Sequence, residues 1–240
     1  MNHFTFSALL TSILSFVACL YALQNTHDNK RVSRIFALYW FSIAFWSSTV
    51  GFQRFLLARI DENVWGWFLH FGVLFIPTLF LHFSVKLTQT TAKNRGVLFV
   101  AYSLTFLYLF LNSFTKIFTK EIAHRDAYAY PTPALLYPVY FGSFVVFIVW
   151  GTILILKFLP SVPAGKRGSI GIFLLFHCLA YLGGMDNFAI MWDIRIFPFY
   201  PFGLYAVPLY ACASIYALKK NAFSTDLTTP ATSNLSPSLG

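Results

Sequence analysis

Few ionisable side chains lie inside apolar runs of this sequence: His70 and His82 share one run, His177 and Asp186 share another, and Arg54 stands at the margin of a third. A charge at the centre of a bilayer costs about 2.5–3.5 kcal/mol on insertion scales, so each such residue in a spanning segment marks a candidate site. A membrane cytochrome needs axial histidines on facing helices, whereas His70 and His82 share a helix and, at ~100° per residue, point about 120° apart. A retinal protein needs a lysine in mid-helix, and the last apolar run, 198–218, has none. Acyl or phosphoryl chemistry needs a nucleophile beside a base or clustered carboxylates, but the acidic residues are scattered over separate polar stretches. Cys19, Cys178 and Cys212 fall in apolar runs without metal-ligand or disulfide-framework spacing. The expectation is therefore no enzyme, no metal and no cofactor. Binding remains. Arg54, His70, Asp186 and Asn187, with Tyr200 beside them, are expected at similar depth, where they could line one polar cavity for a small or apolar ligand. The plainer alternative has Arg54 snorkelling to the headgroups and Asp186 closing a helix, since charges near span ends cost much less.

The elements that must position these residues are membrane helices. Of 240 residues, 58% are hydrophobic, 20% aromatic and only 10% charged, whereas soluble domains carry about 25% charged residues. Apolar runs at 4–23, 35–53, 65–87, 97–118, 137–159, 169–190 and 198–218 are each long enough to cross a hydrocarbon core of roughly 30 Å. The predicted fold class is all-α, a polytopic seven-transmembrane helix bundle over 1–223, followed by a disordered cytoplasmic tail over 224–240 that lacks apolar periodicity.

Basic residues give the direction. One side collects Lys30, Arg31, Arg34, Lys86, Lys93, Arg95, Lys157, Lys166, Arg167, Lys219 and Lys220, 11 in all, and the other side collects 6, interspersed with acids. The positive-inside bias predicts an outer N-terminus and a cytoplasmic C-terminus. The net charge of +9 is thus explained by cytoplasmic loops, and the reading includes no nucleic acid. Trp65, Trp67, Trp192 and Tyr200 are expected in interfacial belts, His82 against a helix carbonyl or the interface, and 119–136 as a cap or plain connector. Pro77, Gly183, Gly184, Pro201, Gly203 and Pro208 are places where helices can bend or approach closely.

Two blocks carry a family resemblance. The first joins Asn29-Lys30-Arg31, the aromatic stretch around Trp46, and Trp65 to Phe83 with its Pro77 and closing His82-Phe83. The second runs from Gly183-Gly184-Met185-Asp186-Asn187-Phe188 through Ile194-Arg195-Ile196-Phe197-Pro198 to Ile215-Tyr216-Ala217-Leu218-Lys219-Lys220. Together they resemble the seven-transmembrane sensor region at the N-terminus of bacterial histidine kinases and diguanylate cyclases. The resemblance implies a non-enzymatic receptor in the lipid bilayer that passes a signal to a cytoplasmic kinase or cyclase partner. In such proteins the last helix continues into an output domain, whereas here it meets the low-complexity stretch 225–240, so either a separate partner or a longer chain is expected. The alternatives are a small seven-helix transporter built as three plus one plus three helices, which would show internal repeats, and an assembly subunit with a small-residue packing face. The first three runs share no landmark with the last three beyond a proline.

Overall fold

A computed structural model describes residues 3–25, 30–124, 129–194 and 202–224, apart from the side chain of Arg54. Tyr200 and the stretch 225–240 lie outside the described residues. Seven long helices alternate in direction: α1 (His3–Gln24), α2 (Lys30–Gly51), α4 (Glu62–Leu87), α5 (Thr91–Phe114), α6 (Tyr137–Phe158), α7 (Ala164–Ala189) and α8 (Gly203–Lys219), with a single extra turn, α3 (Gln53–Leu57), after α2. Five of them, α1 and α4 to α7, are long and apolar enough to cross a membrane by length and composition. Large apolar side chains cover their outer faces, among them Ile13, Phe99, Phe110 and Leu182. In water these faces would be a liability, whereas in lipid they are the solvated surface. The chain is a helical integral membrane protein.

Of the other two long helices, α2 is less apolar for an identifiable reason. Helix α2 opens with Lys30, Arg31 and Arg34 and carries Ser42, Ser47, Ser48 and Thr49, whose hydroxyls donate to the carbonyls of Leu38, Ile43, Ala44 and Phe45 on its own preceding turn. Such back-bonding satisfies a hydroxyl without water. Helix α8 is shorter, with 17 residues and its N-cap at Phe202.

The bundle is organised on α4, which packs against α2, α5 and α6, while α1 bridges α2 and α8. Thr11 donates to the Leu204 carbonyl at one end of the α1–α8 pair and Asn25 to the Leu218 carbonyl at the other, so these two helices run parallel. Glycines fix two crossings. A methyl group on Gly72 would lie 2.7 Å from the backbone nitrogen of Trp46, so α4 and α2 touch almost backbone to backbone. A methyl group on Gly203 would lie 2.7 Å from the Cα of Gly184, which brings α8 equally close to α7.

The stretch 119–136 is neither pure helix nor plain connector. It forms a two-stranded antiparallel hairpin, β1 (Thr119–His124) against β2 (Ala129–Pro133), with Ile122 opposite Pro131, Ala123 opposite Tyr130, and a register irregularity between Thr119 and Ile122. The all-α expectation is corrected to this extent. Pro131 and Pro133 are tolerated because a two-stranded ribbon consists only of edges. The hairpin is tied down at several points: His124 Nε2 meets Glu62 Oε1 at 2.7 Å, and the Ala129 amide donates to Gln53 Oε1 at 3.2 Å. This pole is the hairpin end, and the opposite pole, where Lys86, Lys93, Lys157, Lys166 and Lys219 cluster, is the basic end.

Candidate functional site

At the hairpin end a cavity of about 80 Å³ is lined by residues of α2, α4, α6, α7, α8 and β2. Its walls are apolar side chains such as Ile43, Leu69, Val73, Ile76, Phe144, Phe188 and Val207, with Trp46 and Met191 among them. Polar groups enter at two levels. Near the hairpin, His70 and Asn187 line the cavity together with Tyr130, whose hydroxyl donates to Asn187 Oδ1 at 3.2 Å. His70 is buried and its Nδ1 lies 2.8 Å from the Gly66 carbonyl one turn back. A carbonyl only accepts, so Nδ1 carries the proton and Nε2 remains as an acceptor.

Deeper in the bundle, the cavity floor is made of phenols. Tyr39 of α2 shares hydrogen bonds with Tyr181 of α7 at 2.9 Å and Tyr210 of α8 at 3.3 Å. Tyr210 in turn meets His177 Nδ1 at 3.2 Å, and His177 Nε2 meets Thr152 of α6 at 3.0 Å. The imidazole of His177 stacks on Phe80 of α4, with ring centroids 4.2 Å apart. One chain of hydrogen bonds therefore touches α2, α6, α7 and α8. In an environment without water each of these polar groups needs a protein partner, and each has one here.

The structure brings together only part of the predicted set. His70 and Asn187 do share a cavity. Asp186 is fully buried one turn before the end of α7, but its carboxyl faces α8 instead: Oδ2 accepts the Phe202 amide, and Oδ1 accepts from Asn187 Nδ2 at 3.3 Å. It serves as an N-cap supplied from another helix, using charge and geometry that favour a helix start. Arg54 lies on α3 next to Gln53. Its side chain is not among those described, and Tyr200 falls outside the described residues altogether. Two further expectations are corrected. Trp65 is not an interfacial belt residue, because it is buried and its Nε1 donates to the Thr49 carbonyl at 3.3 Å, closing the end of α2. His82 Nδ1 meets a side chain rather than a helix carbonyl, lying 2.8 Å from the Tyr102 hydroxyl of α5.

Sequence reasoning passed over Tyr39, Tyr181 and Tyr210 because the chain has 13 tyrosines among 29 phenylalanines. A usable signal was present. A tyrosine near a span's middle, away from the belts where its hydroxyl meets water, must find a partner within the bundle.

The model of one protein family, described as the N-terminal 7TM region of histidine kinase, matches residues 7–227. No curated protein and no solved structure matches the chain.

Proposed function

We propose, from the premise that this chain belongs to the family of N-terminal 7TM regions of histidine kinases, that it is a non-enzymatic membrane sensor whose stimulus acts at the hairpin-end cavity. In this reading α1, α2 and α4 to α8 all cross the membrane, the hairpin end faces outward, and α8 leads to a cytoplasmic kinase or cyclase partner. The 11 against 6 division of basic residues supports that orientation. One observation carries the functional reading: the floor of the cavity is a hydrogen-bonded chain joining α2, α7 and α8, so a change in what fills the cavity is a change in what holds α8. The volume suits a small, mainly apolar molecule with one polar group for His70 or Asn187. A stimulus can act only by binding two helix arrangements with different affinity, and a hydroxyl network with alternative partners supplies such arrangements.

A chimera tests this. With α8 joined after Ser224 to the cytoplasmic output of a histidine kinase, basal autophosphorylation is measured for Gly184→Leu and Gly171→Leu. A methyl group at either glycine meets no atom within 4 Å, but only Gly184 lines the cavity. The expected result is a severalfold change for Gly184→Leu and none for Gly171→Leu. Equal autophosphorylation in both would overturn the reading.

A further inference from the structure

We propose that the cleft between α5 and α6 at the basic end binds an anionic phospholipid. The two helices meet near the hairpin end, where Tyr108 of α5 lies 3.2 Å from Ser143 of α6 through their hydroxyls. Toward the basic end they diverge over α4, leaving a cleft of about 780 Å³. Leu154 of α6, which lines the cleft, packs against a separate apolar cluster formed by Leu98 of α5, Phe147 of α6 and Leu81 and Val85 of α4. The α6 wall of the cleft presents the exposed side chains of Val146, Val149, Trp150 and Ile153.

At the mouth the character changes. Lys93 stands in the first turn of α5 and Lys157 in the last turn of α6, and both line the cleft. Among the described residues neither ammonium group has a hydrogen bond or an ion pair. No Asp or Glu occurs in 63–120 or 127–185, so no acid on α4, α5 or α6 beyond Glu62, at the far pole, offsets them. From Lys157 to Val146 the apolar wall runs about 16 Å along the helix. That is about half of a ~30 Å hydrocarbon core, the depth of one leaflet. An acyl chain against the wall therefore places a phosphate at the level of both lysines, and basic pockets between helices on this side of a membrane suit anionic headgroups. A zwitterionic lipid fills the same wall but brings its own ammonium to the two lysines.

Trp150 is a built-in reporter. The full chain is reconstituted in phosphatidylcholine vesicles containing either phosphatidylglycerol or phosphatidylcholine brominated on its acyl chains, and the quenching of Trp150 is taken as the difference between the protein and its Trp150→Phe variant. Brominated phosphatidylglycerol is expected to quench at a lower mole fraction than brominated phosphatidylcholine. Lys93→Gln and Lys157→Gln should each reduce that preference about fivefold, whereas Lys93→Arg with Lys157→Arg should keep it. Lys219→Gln with Lys220→Gln, which removes two charges from the same pole outside the cleft, should leave it unchanged. Equal quenching by the two lipids would overturn the site, as would a loss of preference in the Lys219/Lys220 variant matching that of the cleft variants, which would mean diffuse surface charge.

Discussion

Gly72→Ala is expected to destabilise the bundle by about 1–3 kcal/mol, the usual penalty for forcing volume into a packed contact. The added methyl carbon would meet Trp46 at its backbone nitrogen, Cα and Cβ, all within 2.9 Å, and backbone cannot rotate away as a side-chain tip can. Relief requires α2 and α4 to separate, and Trp46 lines the cavity, so the clash also alters the candidate site. Gly171→Ala is the matched control, because a methyl group there meets nothing within 4 Å. Its effect should lie between neutral and a gain of about 1 kcal/mol, the ordinary helix advantage of alanine over glycine. Thermal unfolding in detergent compares the two, and equal melting of Gly72→Ala and Gly171→Ala would mean that the two helices do not cross at this point.

The second large effect is expected at Asp186. Its buried carboxyl accepts the first amide of the α8 helix start and holds the Asn187 side-chain amide. Asp186→Ala leaves both donors without that acceptor in a site closed to water, at a cost of about 1.5–3 kcal/mol for hydrogen bonds of this kind. Asp186→Asn keeps an oxygen acceptor and should cost less. The loss should also be local: amide exchange in the first turn of α8, from Phe202 to Tyr205, should accelerate while α4 stays protected. Unchanged exchange in that turn for Asp186→Ala would show that the carboxyl does not cap α8.

The helices were largely legible in the sequence because lipid imposes one strong rule, an apolar run of sufficient length. The run at 4–23 became His3–Gln24 and the run at 137–159 became Tyr137–Phe158. Where boundaries moved, polar helical turns were responsible. Helix α5 starts at Thr91 rather than 97, since Lys93 and Arg95 extend from a regular helix without breaking it. The hairpin was not legible, because Pro131 and Pro133 argue against a strand unless the strand is known to be an edge. The site was half legible. His70 and Asn187 stood out as polar residues in apolar runs, whereas the roles of Asp186 and the three phenols depend on which helices face each other. Spacing within one helix does not contain that information.

The central claim is that the filling of the cavity is felt at the basic end of α8. Spin labels at Lys219→Cys and Ala92→Cys, both exposed at that end, report it as a distance between α8 and α5. The native Cys178 and Cys212 are exposed and Cys19 is buried, so all three are first replaced by Ala to keep labelling specific. Pulsed electron–electron resonance on vesicle-reconstituted protein then compares this background with Gly184→Leu, which fills the cavity from α7. A shift in population between two distances, or a displaced single distance, is the predicted result, because a filled cavity must favour one helix arrangement over another. Superimposable distance distributions for the empty and filled cavity would contradict the account.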